Sequence, residues 1–227
     1  MNDEQTPDLR RRVAVHAALA DPTRLRVVDL LAIGDAASSE LSARLGTPSN
    51  LLAHHLKVLE SAGVIARHRS EGDGRRSYWR LVTDAAVPAG GPALGTPARV
   101  VFVCTANSAR SHLAAALWRR ASAVPATSAG TRPADRIARG ARDAARRHHL
   151  DLPDVPPRHL TEVAVTRADL VVTVCDRAHE ELGGATSAVH WSVPDPVVVG
   201  ARRAFDRVVA DLDRRVARLA SLVGQAA

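Results

Sequence analysis

Cysteine is scarce in this 227-residue chain, which has two, Cys104 and Cys175. A small secreted domain stapled by disulfides carries more. A reactive or redox pair in a reducing compartment therefore explains them better than a structural bridge. Long apolar runs are missing too. None approaches the roughly 20 residues needed to span a bilayer, so no membrane-embedded function is expected. The opening MNDEQTPDLRRR lacks the apolar stretch of a secretion signal, and the expected location is cytoplasmic. Tyrosine occurs once, at Tyr78, and lysine once, at Lys57.

Hydrophobic residues make up 46% of the chain, which suits a folded protein rather than a disordered one. The formal net charge is +7, nearly all of the basic charge being arginine. Residues 1–85 carry +1 of this and residues 86–227 carry +6. The basic balance thus sits on the second half and does not by itself argue for DNA binding. Between the halves, Asp84 to Pro97 is rich in alanine, glycine and proline without helical or strand periodicity. It reads as a linker, so two domains are expected, at 1–83 and 98–227.

In the first half, Leu9 to Leu19 suits an amphipathic helix. Asp21-Pro22-Thr23-Arg24 then supplies an N-cap and a proline at the first helical position. Leu25, Val28 and Leu31 mark the buried stripe of that second helix, which stops near Gly34. Ser38 to Leu45 forms a short helix, closed at Gly46, and Ser49 to Gly63 a longer one. Two helices joined by a short glycine-containing turn make a helix-turn-helix. Val64 to Arg69 and Arg76 to Leu81 alternate in polarity around Glu71-Gly72-Asp73-Gly74, the pattern of a β-hairpin wing.

ADPTRLRVVDLL, HHLKVLESAGVI and the wing together resemble the ArsR-type winged-helix repressors, over roughly residues 10–82. The resemblance implies an α+β winged helix whose second motif helix enters the major groove of a double-stranded DNA operator. It makes Ser49, Asn50, His54, His55 and Lys57 candidate DNA contacts, with Arg69, Arg75 and Arg76 on the wing. It also implies a homodimer reading two half-sites. Asp35 to Leu45, where relatives often carry metal- or arsenite-sensing cysteines, has none. Adjacent histidines such as His54 and His55 point about 100° apart on a helix, poor geometry for a metal, and no metal site is expected.

In the second half, Arg99 to Val103 is a short apolar run of the kind a buried parallel strand needs. It leads into Cys104-Thr105-Ala106-Asn107-Ser108-Ala109-Arg110-Ser111 and then a helical stretch from His112. In a strand, tight loop and helix start, backbone N–H groups and the helix dipole converge on an anion. A thiolate at Cys104 can attack the phosphorus or arsenic of an oxyanion held by loop residues 105–110. Arg110 can grip two of its oxygens, and Ser111 can hydrogen-bond the sulfur. Asn107 suits a left-handed turn. Such surroundings should bring the Cys104 pKa below its usual value near ~8.5.

This loop resembles that of the low-molecular-weight tyrosine phosphatases and the arsenate reductases sharing their fold. Thr127-Ser128-Ala129-Gly130-Thr131, Ala168 to Cys175, and His190-Trp191-Ser192-Val193-Pro194-Asp195-Pro196 match in order. A long amphipathic helix from about Gly200 to Leu222 closes the domain. The resemblance implies a three-layer α/β domain with a central parallel sheet and makes Asp195 the general acid. Two departures are informative. Val197 and Val198 stand where phosphotyrosine enzymes commonly have tyrosines, which favours a small oxyanion. Cys175 occupies the second cysteine position of the reductases, but the third falls near Leu182.

The leading expectation is a DNA-binding regulator fused to an arsenate-reductase-like domain in arsenic resistance. Cys175 or an external small thiol would resolve the Cys104 adduct. No bound cofactor is expected, only an external reductant, a small thiol or a thioredoxin-type protein. Two rivals stay open: a repressor that senses an arsenate, phosphate or arsenical ligand without turnover, and a protein or small-ester phosphatase.

Overall fold

In the computed structural model, which describes residues 6–82, 94–183 and 188–224, Asp21 caps its helix as the sequence suggests. Its carboxylate accepts the Arg24 N–H at 2.9 Å, satisfying one donor that a helix start leaves unpaired. The described residues fall into two compact units. The first contains α1 (Pro7–Leu19), α2 (Pro22–Ile33), α3 (Ser38–Leu45) and α4 (Ser49–Ser61). Gly46, at φ 62°, makes the left-handed turn between α3 and α4, a conformation that L side chains resist.

Strands β1 (Ala36–Ala37), β2 (Ile65–Arg69) and β3 (Ser77–Leu81) form an antiparallel sheet in the order β1-β3-β2. The hairpin is the expected wing, with Arg67 opposite Trp79. The two-residue strand β1 is unexpected, because two alanines carry no periodicity for a pattern to reveal. Val27, Val28 and Leu31 of α2, Leu41 of α3, and Leu52, Leu56 and Leu59 of α4 form the core with Val64, Ile65 and Trp79. Leu25, expected in the stripe of α2, is only partly buried. Leu9 and Val13 of α1 are exposed.

The second unit is a four-stranded sheet in the order β5-β4-β6-β7, parallel at every pairing. Its strands are β4 (Arg99–Cys104), β5 (Ala126–Gly130), β6 (Asp169–Thr173) and β7 (Val189–His190). Val100, Val101, Phe102 and Val103 are all wholly buried, so both faces of β4 are covered. The helices are α5 (Arg110–Ala121), α6 (Arg139–Arg147), α7 (Asp176–Glu181), α8 (Pro196–Val199) and α9 (Arg202–Leu222), of which α5 and α7 pack against β4. Phe102 packs between Trp118 of α5, at 6.1 Å, and Trp191 after β7, at 5.8 Å.

The linker expected at 84–97 lies outside the described residues as far as position 93. At Leu94 the chain is tied to the end of α9, its N–H donating to Leu222 O at 3.0 Å. Among the described residues, no helix is long and apolar enough to cross a membrane.

Candidate functional site

Strand β4 has β5 on one side and β6 on the other, so the connections diverge at its C-terminal end. A doubly wound sheet opens a crevice at such a point. Cys104 is the last residue of β4 and Arg110 the first of α5. The carbonyls of Cys104, Thr105, Ala106 and Ser108 accept bonds from the N–H groups of Thr131, Arg132, Ala134 and Ala138. A trans peptide points its N–H opposite to its carbonyl. The N–H groups of residues 105, 106, 107 and 109 are therefore turned into the loop, towards the head of α5. Asn107 takes the left-handed conformation that the turn needs, at φ 46°.

A buried network sets the polarity at the sulfur. Asn107 Nδ2 donates to Ser111 Oγ at 2.9 Å and to Ser128 Oγ at 3.0 Å, while Asn107 Oδ1 accepts the Arg158 N–H at 2.9 Å. Ser111 Oγ, which accepts from Asn107, also lies at hydrogen-bond distance from Cys104 Sγ, 3.1 Å away. Sequence reasoning missed Ser128, Arg158 and the next member, His112, whose Nδ1 lies 3.5 Å from Ser128 Oγ. Serine in a strand and histidine in a helix carry no signal of their own.

Burial pushes the His112 pKa down to about 4 from its ordinary 6.5. The native state then stays neutral over a range in which the unfolded chain binds a proton. Stability should be level above about pH 6.5 and fall as pH drops towards 4, by about 2 kcal/mol between pH 7.5 and 5. Urea midpoints at these two pH values should move closer together in His112→Gln; an unchanged gap would refute the assignment.

Arg110 is buried at the head of α5. Its Nη1 donates to Val193 O at 3.0 Å and its Nη2 to Asp195 Oδ2 at 2.6 Å. Burial would lower the guanidinium pKa, but Cys175, Cys104 and Asp195 outweigh it and the shift is upward. Asp195 also caps α8, its Oδ1 accepting the Val197 N–H at 2.9 Å. Cys175 lies at the N-cap of α7 with Sγ 3.4 Å from Thr105 Oγ1. Burial raises its thiol pKa, and Arg110 pulls the other way. Thr105, Ala106, Arg110, Cys175, Asp176, Arg177, Asp195, Val198 and Val199 all border one pocket. Both cysteines are free. The structure thus gathers every second-half candidate, from Cys104 to Ser111 together with Cys175 and Asp195. Val197, Val198 and Val199 are exposed, and Tyr78 is a core residue of the other unit.

On α4, the candidates Ser49, Asn50, His54 and Lys57 are exposed, as are Arg69, Arg75 and Arg76 of the hairpin. His55 is a correction. It follows Leu52 by three residues and precedes Leu59 by four, which puts it on the buried stripe. It is only 7% exposed, and its Nδ1 faces Asp21 at 3.6 Å. It cannot present a donor to a groove. Arg67, exposed two positions before Arg69 on the same face of β2, was missed, although strand alternation was there to read. Among the described residues, no three His, Cys, Asp or Glu side chains are grouped to hold a metal ion.

Comparison with known proteins assigns each unit. Residues 19–68 match a helix-turn-helix domain family. The transcriptional repressor SdpR of Bacillus subtilis (strain 168) is 35% identical over 69 residues, spanning 30% of this chain and 73% of that protein. Among solved structures, the tyrosine phosphatase Wzb from Escherichia coli K30 aligns with TM-score 0.50 at 21% identity, over 56% of this chain and 98% of that one. That likeness speaks for the fold. The arsenate reductase of Archaeoglobus fulgidus DSM 4304 aligns with TM-score 0.46 at 28% identity, over 54% and 98%. Through residues 99–226 the chain belongs to the low molecular weight phosphotyrosine protein phosphatase family, joined here to a helix-turn-helix domain.

Proposed function

We propose that the chain is a DNA-binding regulator whose second domain reduces arsenate, with a role in arsenic resistance. One observation carries the choice of reaction: Cys175 borders the same pocket as Arg110, with its Sγ 3.4 Å from Oγ1 of Thr105, the residue next to Cys104. Hydrolysis of a phosphate ester has no use for a second thiol there, whereas a reductase needs one to take up oxidation.

The Cys104 thiolate attacks arsenic, and one arsenate oxygen leaves as water, protonated by Asp195. Arg110 and the inward N–H groups of residues 105, 106, 107 and 109 hold the remaining oxygens, the incoming anion displacing Asp195 from the guanidinium. Ser111 and Asn107 steady the sulfur. Cys175 then attacks Cys104 Sγ. A disulfide forms, the S–As bond breaks, and its electron pair leaves with arsenic, which is reduced from As(V) to As(III). The Cys175 proton passes to the departing arsenite. With Leu182 at the third reductase position, the disulfide must be reduced from outside, by a small thiol or a thioredoxin-type protein.

In the other domain, Ser49, Asn50, His54 and Lys57 read the major groove of an operator, while Arg69, Arg75 and Arg76 hold phosphates. Similarity to a transcriptional repressor supports this reading. A homodimer would bind two half-sites.

The test measures arsenite formation from arsenate with small thiols and with thioredoxin, alongside aryl phosphate hydrolysis and salt-dependent binding to selected duplex DNA. Turnover that stalls after one adduct in Cys175→Ser supports internal resolution. Ester hydrolysis without arsenate reduction makes the domain a phosphatase. Neither reaction, with DNA affinity altered by arsenate, makes it a sensor.

A further inference from the structure

Behind the pocket lies a buried polar cluster that the chemistry above does not use. Asp176, the first residue of α7, directly follows Cys175 and meets His190 Nε2 at 3.1 Å, both side chains being 2% exposed. His190 Nδ1 lies 3.0 Å from Thr173 Oγ1, which also reaches His179 Nδ1 at 3.3 Å. The two imidazoles stack at 4.1 Å and 13°. The ends of this cluster are the two walls of the pocket. On one side, α7 begins with Cys175 and Asp176. On the other, His190 opens the segment that carries Val193, whose carbonyl holds Arg110, and then Asp195. Burial raises the Asp176 pKa, but hydrogen bonds from His190 and Ser192 outweigh this and keep the carboxylate ionised.

We propose that the Asp176–His190 pair, seated on Thr173, is a positioning latch that fixes the Cys175 wall of the pocket to the Arg110–Asp195 wall. An unpaired carboxylate beside an anion site repels the anion; Asp176 borders the pocket, and its pairing with His190 compensates its charge. The latch therefore does two things. It sets where Cys175 lies relative to Cys104, and it compensates the carboxylate charge that borders the place the oxyanion takes. His190 borders nothing in the pocket, so it acts through Asp176 and is a positioning residue.

The inference rests on the oxyanion reading of the pocket, and the experiment separates the two. In the full-length protein, His190→Ala, Thr173→Val and His190→Gln are compared by three measurements. These are the melting temperature, the rate of Cys175 alkylation by iodoacetamide, and the protection of Cys104 from alkylation by inorganic phosphate. The near-isosteric Thr173→Val serves where His190→Ala does not fold. In either variant, Cys175 should react about tenfold faster and phosphate should bind about tenfold more weakly. His190→Gln, whose amide N–H can replace imidazole Nε2, should recover most of both. A lower melting temperature with neither change would reduce the cluster to a structural role and overturn the proposal. If phosphate fails to protect Cys104 in the parent protein, the oxyanion reading falls, and the Cys175 rate still decides the latch.

Discussion

Cys104→Ser is expected to lower turnover by roughly 10⁴-fold or more while leaving oxyanion binding intact. Serine at this position keeps the hydrogen bond to Ser111 Oγ but supplies a neutral hydroxyl, a much weaker nucleophile than a thiolate. Cys104 is 2% exposed at the end of β4, and a hydroxyl of smaller volume fits there without displacing neighbours. The groups proposed to hold the anion are untouched: the N–H groups of residues 105, 106, 107 and 109 and the Arg110 guanidinium. In the proposed mechanism the attacking sulfur is anionic, so the substitution also removes that negative charge from the binding site. Titration calorimetry with phosphate or arsenate should therefore give an affinity equal to or tighter than the parent's. Arsenite formation and ester hydrolysis should both fall to background. Residual turnover within tenfold of the parent would exclude Cys104 as nucleophile. Lost binding would mean that the loop depends on the sulfur for its shape.

Gly130→Ala should damage the same loop from the opposite side. A Cβ at Gly130 would lie 2.6 Å from Thr105 O and 3.0 Å from both Cβ and N of Asn107. Two of these three atoms are loop backbone, and Arg132 N–H already pins the Thr105 carbonyl at 2.9 Å. No flexible side chain is available to swing away, so either strand β5 or the loop must shift. Overpacking of this kind costs about 1–3 kcal/mol, a melting-temperature drop of roughly 3–10 °C for a chain of this size. The chemical effect should be larger. The loop holds the sulfur, the inward N–H groups and Asn107 in one geometry, and a displacement near 1 Å can cost on the order of 100-fold in rate. Gly95→Ala, where a Cβ would meet nothing within 4 Å, is the control and should change neither property. Parent-like turnover in Gly130→Ala would show that the loop tolerates the shift.

Much of the fold was legible because its signals are local. Asp21-Pro22 opens α2, Gly46 turns the chain into α4, and the apolar run at Arg99 becomes the buried central strand. Chain order placed the strand motifs, and the Cys104–Arg110 spacing placed a thiol and a guanidinium around one loop. A helix start after a strand creates that geometry wherever it occurs. Asp195 was reachable only through the family resemblance, whereas cysteine usage alone had already marked Cys175 as the partner of Cys104 in a reactive pair.

The sequence by itself determined which chemistry is available: one reactive loop, a second thiol, an acid, and a helix-turn-helix with its wing. Tertiary structure decided which side chains share a surface or an interior. It turned His55 inward, because three- and four-residue spacing from leucines makes a histidine part of the buried stripe whatever its polarity. It put Ser128 and His112 behind Ser111, and Asp176 against His190, contacts that join separate strands and helices. Such pairs leave no periodicity along the chain, since the partners are brought together by sheet order and helix packing. Each member alone reads as an ordinary polar residue, and only the fold shows that it is buried beside its partner.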